Sequence, residues 1–155
     1  IGHLQTNKVR QVVGVASLIQ SVDSEHLLNA VNRQAEKKEL CQEILLEINI
    51  GAEASKSGVS PAQLDALAQA AGQLEHVRVR GLMAIPPADC TEAETRCYFE
   101  QMRMLFERLD AQQIPNVQMD YLSMGMSGDF ESAILEGANI VRVGTALFGS
   151  RSYPV

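Results

Sequence analysis

Five short apolar runs, each followed by a segment with the periodicity of an amphipathic helix, constrain this chain more than any other feature. The runs are Leu18 to Val22, Ile44 to Ile50, Val77 to Ile85, Met119 to Ser123 and Ile140 to Val143. Strands separated by whole helices cannot pair as hairpins, so they lie parallel and are joined by right-handed crossovers. The class is α/β, and two architectures satisfy it: an open doubly wound sheet, or part of an eight-stranded barrel.

The intervening segments carry start signals of their own. A helix opens at Asp23 or Ser24 and sets Leu27, Leu28, Val31 and Ala35 on one face. After a loop from Gly51 to Val59, Ser60-Pro61-Ala62-Gln63 offers an N-cap, a proline at N1 and a capping-box glutamine, with Leu64, Leu67, Ala68 and Ala71 as the buried stripe. Pro86-Pro87 stops the third strand, and Thr91 to Glu94 is a second capping box. It opens a long helix with Tyr98, Met102, Leu105, Phe106 and Leu109 on one side; a short helix is expected from Ser127 to about Gly137.

Alternation within the strands favours the barrel. Glu47 and Asn49 share one face of the second strand while Leu46, Ile48 and Ile50 share the other, and Arg142 opposes Val141 and Val143 in the last. Polar side chains on a covered strand face suit a barrel interior near its C-terminal mouth. The expectation is a single domain over residues 1–155, a TIM-type (β/α)8 barrel with five visible strand-helix units. The opening Ile1-Gly2-His3-Leu4-Gln5-Thr6-Asn7-Lys8 reads as the end of a strand entering a helix, and about three units are expected to be missing before it.

Nineteen acidic against thirteen basic residues give a net charge of −6, which argues against nucleic acid or an anionic membrane as partner. No apolar run is long enough to span a bilayer, and a cytoplasmic protein is expected. Cys41, Cys90 and Cys97 have no paired spacing and read as packed, reduced thiols, with Cys97 on the buried side of its helix. His3, His26 and His76 are scattered, so no metal site is expected. The loop Ser55-Lys56-Ser57-Gly58 lacks Walker spacing and reads as a mobile surface loop.

Two turns near the carboxyl end could carry chemistry. In Ser123-Met124-Gly125-Met126-Ser127 the glycine permits a sharp bend, and Ser127 can cap a helix or donate to a phosphate oxygen. Gly144-Thr145 offers an unobstructed amide and a hydroxyl after the last strand. Alone, each is equally a plain strand-helix turn; on adjacent parallel strands they aim N–H groups at one point. Asp129 and Glu131 complement a helix dipole but oppose an anion. Arg142, flanked by apolar residues, is expected to be buried, paired either with Glu47 or Asp120 or with the ring nitrogen of a bound cofactor. The six methionines read mostly as core, Met83 included, with the Met126 amide lying in the first turn.

The opening Ile1 to Lys8, Ser55-Lys56-Ser57-Gly58, Gly81-Leu82-Met83-Ala84-Ile85-Pro86, Leu122 to Ser127 and Val141 to Gly149 together resemble the YggS/PROSC pyridoxal-phosphate homeostasis proteins, in consistent order from residue 1 to about Tyr153. The resemblance implies a barrel like the alanine racemase N-terminal domain, with pyridoxal 5′-phosphate (PLP) held as a Schiff base on a lysine. It places Met126, Ser127, Gly144 and Thr145 on the phosphate, Arg142 on the pyridine nitrogen and Asn49 at the pocket wall. The Schiff-base lysine is expected upstream of these residues; Lys8 and Lys56 are not substitutes, and without that lysine the cofactor is expected to bind poorly. The implied function is to hold and release PLP without a defined turnover and with no catalytic residue, with PLP-dependent apo-enzymes as recipients. An alanine-racemase-like amino-acid enzyme and a ligand-free scaffold are the alternatives. A closed barrel leaves no sheet edge to pair, so a monomer is expected.

Overall fold

Five parallel strands stand in one sheet in the order of the chain itself, β1 (Leu18–Val22), β2 (Gln42–Ile48), β3 (Val77–Ala84), β4 (Val117–Met126) and β5 (Ile140–Arg142). The structure is a computed structural model and describes residues 1–149; Tyr153 and the end of the expected 1–155 domain lie outside the described residues. A doubly wound sheet reverses its strand order at a switch point. Here every crossover moves the chain one strand further in the same direction, which rolls the sheet into a curled half-barrel. The curl brings Gln20 of β1 within hydrogen-bond distance of Ser123 of β4, 2.7 Å, although three strand spacings on a flat sheet would hold them about 14 Å apart.

Helices cover the outer face. A 3₁₀ turn (Thr6–Lys8) leads into α1 (Val9–Val12), followed by α2 (Glu25–Lys37), α3 (Leu64–Gly72), α4 (Glu92–Asp110), α5 (Phe130–Leu135) and α6 (Thr145–Phe148). The expected stripes are buried: Leu27, Leu28, Val31 and Ala35 of α2, and Leu64, Leu67, Ala68 and Ala71 of α3. They meet Ile44, Leu46 and Ile48 of β2 and Val77, Val79 and Leu82 of β3 in one apolar core. In α4 the stripe is Thr95, Phe99, Met102, Leu105 and Leu109, with Tyr98 and Phe106 at its margin. Cys97 lies about 200° around the helix from Thr95 and is exposed, as is Cys41, so packing does not account for these two thiols as expected.

The Thr91 capping box is complete: Thr91 Oγ1 accepts from the Glu94 amide at 3.3 Å, and Glu94 Oε2 accepts from the Thr91 amide at 2.8 Å. Thr91→Ala is expected to lower stability by about 1 kcal/mol in urea unfolding. The Ser60 signal is met by half. Gln63 Oε1 accepts from the Ser60 amide and hydroxyl at 3.1 and 2.8 Å, but the Gln63 amide bonds the Ser60 carbonyl, making a turn, and α3 begins only at Leu64.

The loop after β2 is tied down, unlike the mobile loop expected. Asn49 Nδ2 donates to the carbonyls of Glu53 and Lys56 at 2.8 and 3.2 Å, and its Oδ1 accepts from the Glu53 amide at 3.1 Å. Lys56 Nζ donates to the Pro86 carbonyl at 3.0 Å, and Val59 adds a parallel bridge to Ile48. These bonds turn the chain away after Ile48, so β2 ends two residues before the expected Ile50.

Candidate functional site

The concave face carries one side chain from each strand in a single layer: Gln20, Glu47, Met83, Ser123 and Arg142. Glu47, Met83 and Ser123 are direct register partners across β2, β3 and β4. A bulge at Gly81, where the β3–β4 register slips, returns Leu82 and Ala84 to the core and leaves Met83, fully buried, on the inner face.

Ser123 is the hub of the layer. Its hydroxyl donates to Gln20 Oε1 and accepts from Arg142 Nη1, both at 2.7 Å. Arg142 Nη1 also donates to the Ser123 carbonyl at 3.0 Å, and Nη2 to the Ala84 carbonyl at 2.8 Å. The guanidinium is buried and held by uncharged acceptors, so neither structural partner expected from sequence pairs with it. Asp120 is bonded instead by Arg80 Nε at 2.7 Å, and Arg80 also pairs with Glu43. These residues lie nearer the N-terminal ends of their strands, a different level of the half-barrel from Arg142.

Two atoms of the layer are buried without a hydrogen-bond partner among the described residues, Arg142 Nε and Glu47 Oε2. Burial pushes the Arg142 pKa down, while the carboxylates of Asp129 and Glu47 hold it up; the group stays charged. Burial raises the Glu47 pKa above the ordinary carboxylate value, and the charge of Asp23 adds to this, against His3, Arg142 and the chain amino group.

Beyond this layer the two turns meet. β4 runs three residues past its expected end, to Met126. Gly125 adopts φ +91°, and a Cβ there would stand 2.6 Å from that of Ala133, so the bend needs glycine. Ser127 does not cap a helix, because α5 starts only at Phe130. Its hydroxyl oxygen instead accepts from the amides of Gly144 and Ala146 at 3.1 and 3.4 Å, which joins the two turns directly. The Met126 amide donates to Asp129 Oδ1 at 2.5 Å. A carboxylate oxygen therefore occupies the position an anionic ligand oxygen would take on that amide. Thr145 follows, exposed at the start of α6. A cavity of about 720 Å³ opens between the Met126–Ser132 segment and the Pro86–Cys90 segment.

The structure thus brings together Met126, Ser127, Gly144 and Thr145, with Arg142 one level deeper. Asn49 stands at the end of β2 with its amide committed to the loop. Sequence reasoning missed Ser123, Gln20 and the Ala84 carbonyl, the three groups that hold Arg142. A lone serine and a lone glutamine inside apolar strands were the available signals. Among the described residues no three His, Cys, Asp or Glu side chains gather as a metal-ligand set.

Residues 1–152 match the family model of the alanine racemase N-terminal domain. The pyridoxal phosphate homeostasis protein of Aquifex aeolicus is 45% identical over 153 residues, 99% of this chain and 66% of that protein. That of Haemophilus influenzae is 42% identical, with 99% and 64% covered. The chain spans just under two thirds of the length of these relatives. PipY of Synechococcus elongatus, solved without PLP, superposes with a TM-score of 0.89 at 40% identity, over 96% of this chain and 69% of PipY. PipY solved with PLP bound superposes at 0.85 and 39% identity, over 96% and 68%. With its strand order, its inward arginine and its paired turns accounted for, this chain belongs to the alanine racemase N-terminal domain family, in which its curated relatives are named pyridoxal phosphate homeostasis proteins.

Proposed function

We propose that this protein binds PLP on the concave face and serves PLP homeostasis, holding and releasing the cofactor without catalytic turnover. The observation that carries this reading is Arg142: three hydrogen bonds tie Nη1 and Nη2 to the layer and the adjoining backbone, and Nε is the one guanidinium nitrogen left buried without an acceptor among the described residues. A neutral ring nitrogen is an acceptor of the right kind. The names of the relatives and the PLP-bound PipY support the same ligand.

The residues present fit the group. The Ser127 hydroxyl, the Met126 and Gly144 amides and Thr145 would take the phosphate, with Asp129 swinging off the Met126 amide as a phosphate oxygen replaces it. Asn49 shapes the loop at the pocket wall rather than touching the ligand through a free amide. When bound, PLP supplies a reactive aldehyde and an electron-accepting ring. Arg142, permanently charged, would keep the pyridine nitrogen unprotonated and so weaken that ring as an electron sink. No helix among the described residues is long and apolar enough to cross a membrane. In this reading the protein is a cytoplasmic monomer that passes PLP to apo-enzymes.

The test is α-proton exchange in deuterated water across a panel of amino acids, with PLP supplied. The carrier reading expects no exchange above that of free PLP. Protein-dependent exchange that disappears in Ser127→Ala would establish an amino-acid enzyme instead.

A further inference from the structure

Glu47 is the one polar group of the concave layer that neither holds another side chain nor has a place in the proposed PLP contacts. It is 8% exposed, it sits on β2 in direct register with Met83, and one of its carboxyl oxygens has no partner. A buried carboxylate left without donors is costly, and the neutral acid carries a proton that must itself be donated to something. Ser123, the neighbour of Met83 on the far side, is already saturated by Gln20 and Arg142. Arg142 therefore approaches the layer from one side and Glu47 from the other. Glu47 and Arg142 thus flank the concave face from β2 and β5, close enough for each charge to act on the other.

We propose that Glu47 is a second reader of the cofactor ring, donating a hydrogen bond to the ring's phenolic oxygen from the β2 side of the layer. This rests on the PLP reading above and adds a specificity residue to it. An ionised Glu47 would repel a ligand that already carries phosphate and phenolic oxygens, whereas the neutral acid donates to it. The charged groups acting on Glu47 are Asp23 after β1, which favours the acid form together with burial, and His3, Arg142 and the chain amino group, which oppose it. The folded-state pKa is raised, so the acid form and its hydrogen bond persist above the ordinary carboxylate range and are lost as pH rises through the raised value.

The probes are pyridoxine 5′-phosphate, which has no aldehyde and binds without a lysine, and its analogue lacking the phenolic hydroxyl. Titrations of both are compared between pH 5 and 8 for the unmodified protein, Glu47→Gln and Glu47→Ala. Glu47→Ala is expected to weaken the hydroxylated ligand about tenfold, the loss of one buried hydrogen bond, and the deoxy analogue less than about twofold. Glu47→Gln keeps a donor that does not titrate, so its affinity for the hydroxylated ligand should fall less with rising pH than that of the unmodified protein. The phosphate's own ionisation is common to all three proteins and cancels in the comparison. Equal losses for both ligands in Glu47→Ala, or no loss for either, would overturn the proposal while leaving the PLP site intact. Failure of the unmodified protein to bind either ligand would overturn both readings together.

Discussion

Arg142→Leu is expected to abolish measurable binding of PLP and to destabilise the fold by about 3 kcal/mol, because one substitution strips the layer of its only cation and strands three buried acceptors. The acceptors are the Ser123 hydroxyl and carbonyl and the Ala84 carbonyl, each within 3.0 Å of the guanidinium. Leucine fills part of the volume and offers none of them a proton. Arg142→Lys separates the two effects. A lysine keeps the charge but presents a single ammonium in place of a planar fork, so it cannot cover both carbonyls and still reach a ring nitrogen. The lysine variant should therefore recover much of the stability in urea unfolding and yet bind PLP at least about tenfold more weakly than the unmodified protein. Full recovery of binding by lysine would mean that the arginine acts only as a charge.

Gly81→Ala is expected to cost roughly 4 kcal/mol, a large share of the stability of a domain this size. Gly81 sits in the β3 bulge at φ +145°, and a Cβ there would fall 1.8 Å from the Tyr121 carbonyl oxygen on β4. Neither atom can move without breaking the ladder between the two central strands, and no side-chain rotation relieves the clash, because the obstacle is backbone. The bulge also sets which way Met83 points, so partial relaxation should disturb the layer of Glu47 and Ser123 as well as the ladder. The measurement is the urea midpoint together with soluble yield; a midpoint unchanged within error would show that the β3–β4 register can shift to accommodate alanine.

The fold was largely legible in the sequence for reasons that are local. Ser24 and the Thr91–Glu94 box cap their helices as their spacing requires, and the stripes of α2, α3 and α4 are buried because 3.6-residue periodicity leaves little choice. The choice of a barrel rested on Glu47 and Arg142 facing inward, and the sequential strand order supports it. What was illegible depends on contacts between distant segments. Ser127 reads as a helix cap from its neighbours alone, but seventeen residues later Gly144 brings an amide to its oxygen, and α5 starts further on. Arg142 invited a carboxylate partner because burial of a charge usually demands one. Its acceptors are instead two main-chain carbonyls and a serine hydroxyl, groups that every strand or many sequences contain and that no spacing rule singles out. Cys97 shows the limit of reading one position without its helix phase, since two residues separate it from the buried stripe.

That the joined turns and Arg142 form one PLP site is tested by the equilibrium dissociation constant of PLP for the unmodified protein, Ser127→Ala and the remote control Arg108→Ala, which loses an outer-surface ion pair with Asp65. Weak but saturable binding is expected, weakened about tenfold or more by Ser127→Ala and unchanged by Arg108→Ala. Absence of binding, or the same dissociation constant in all three proteins, would contradict it.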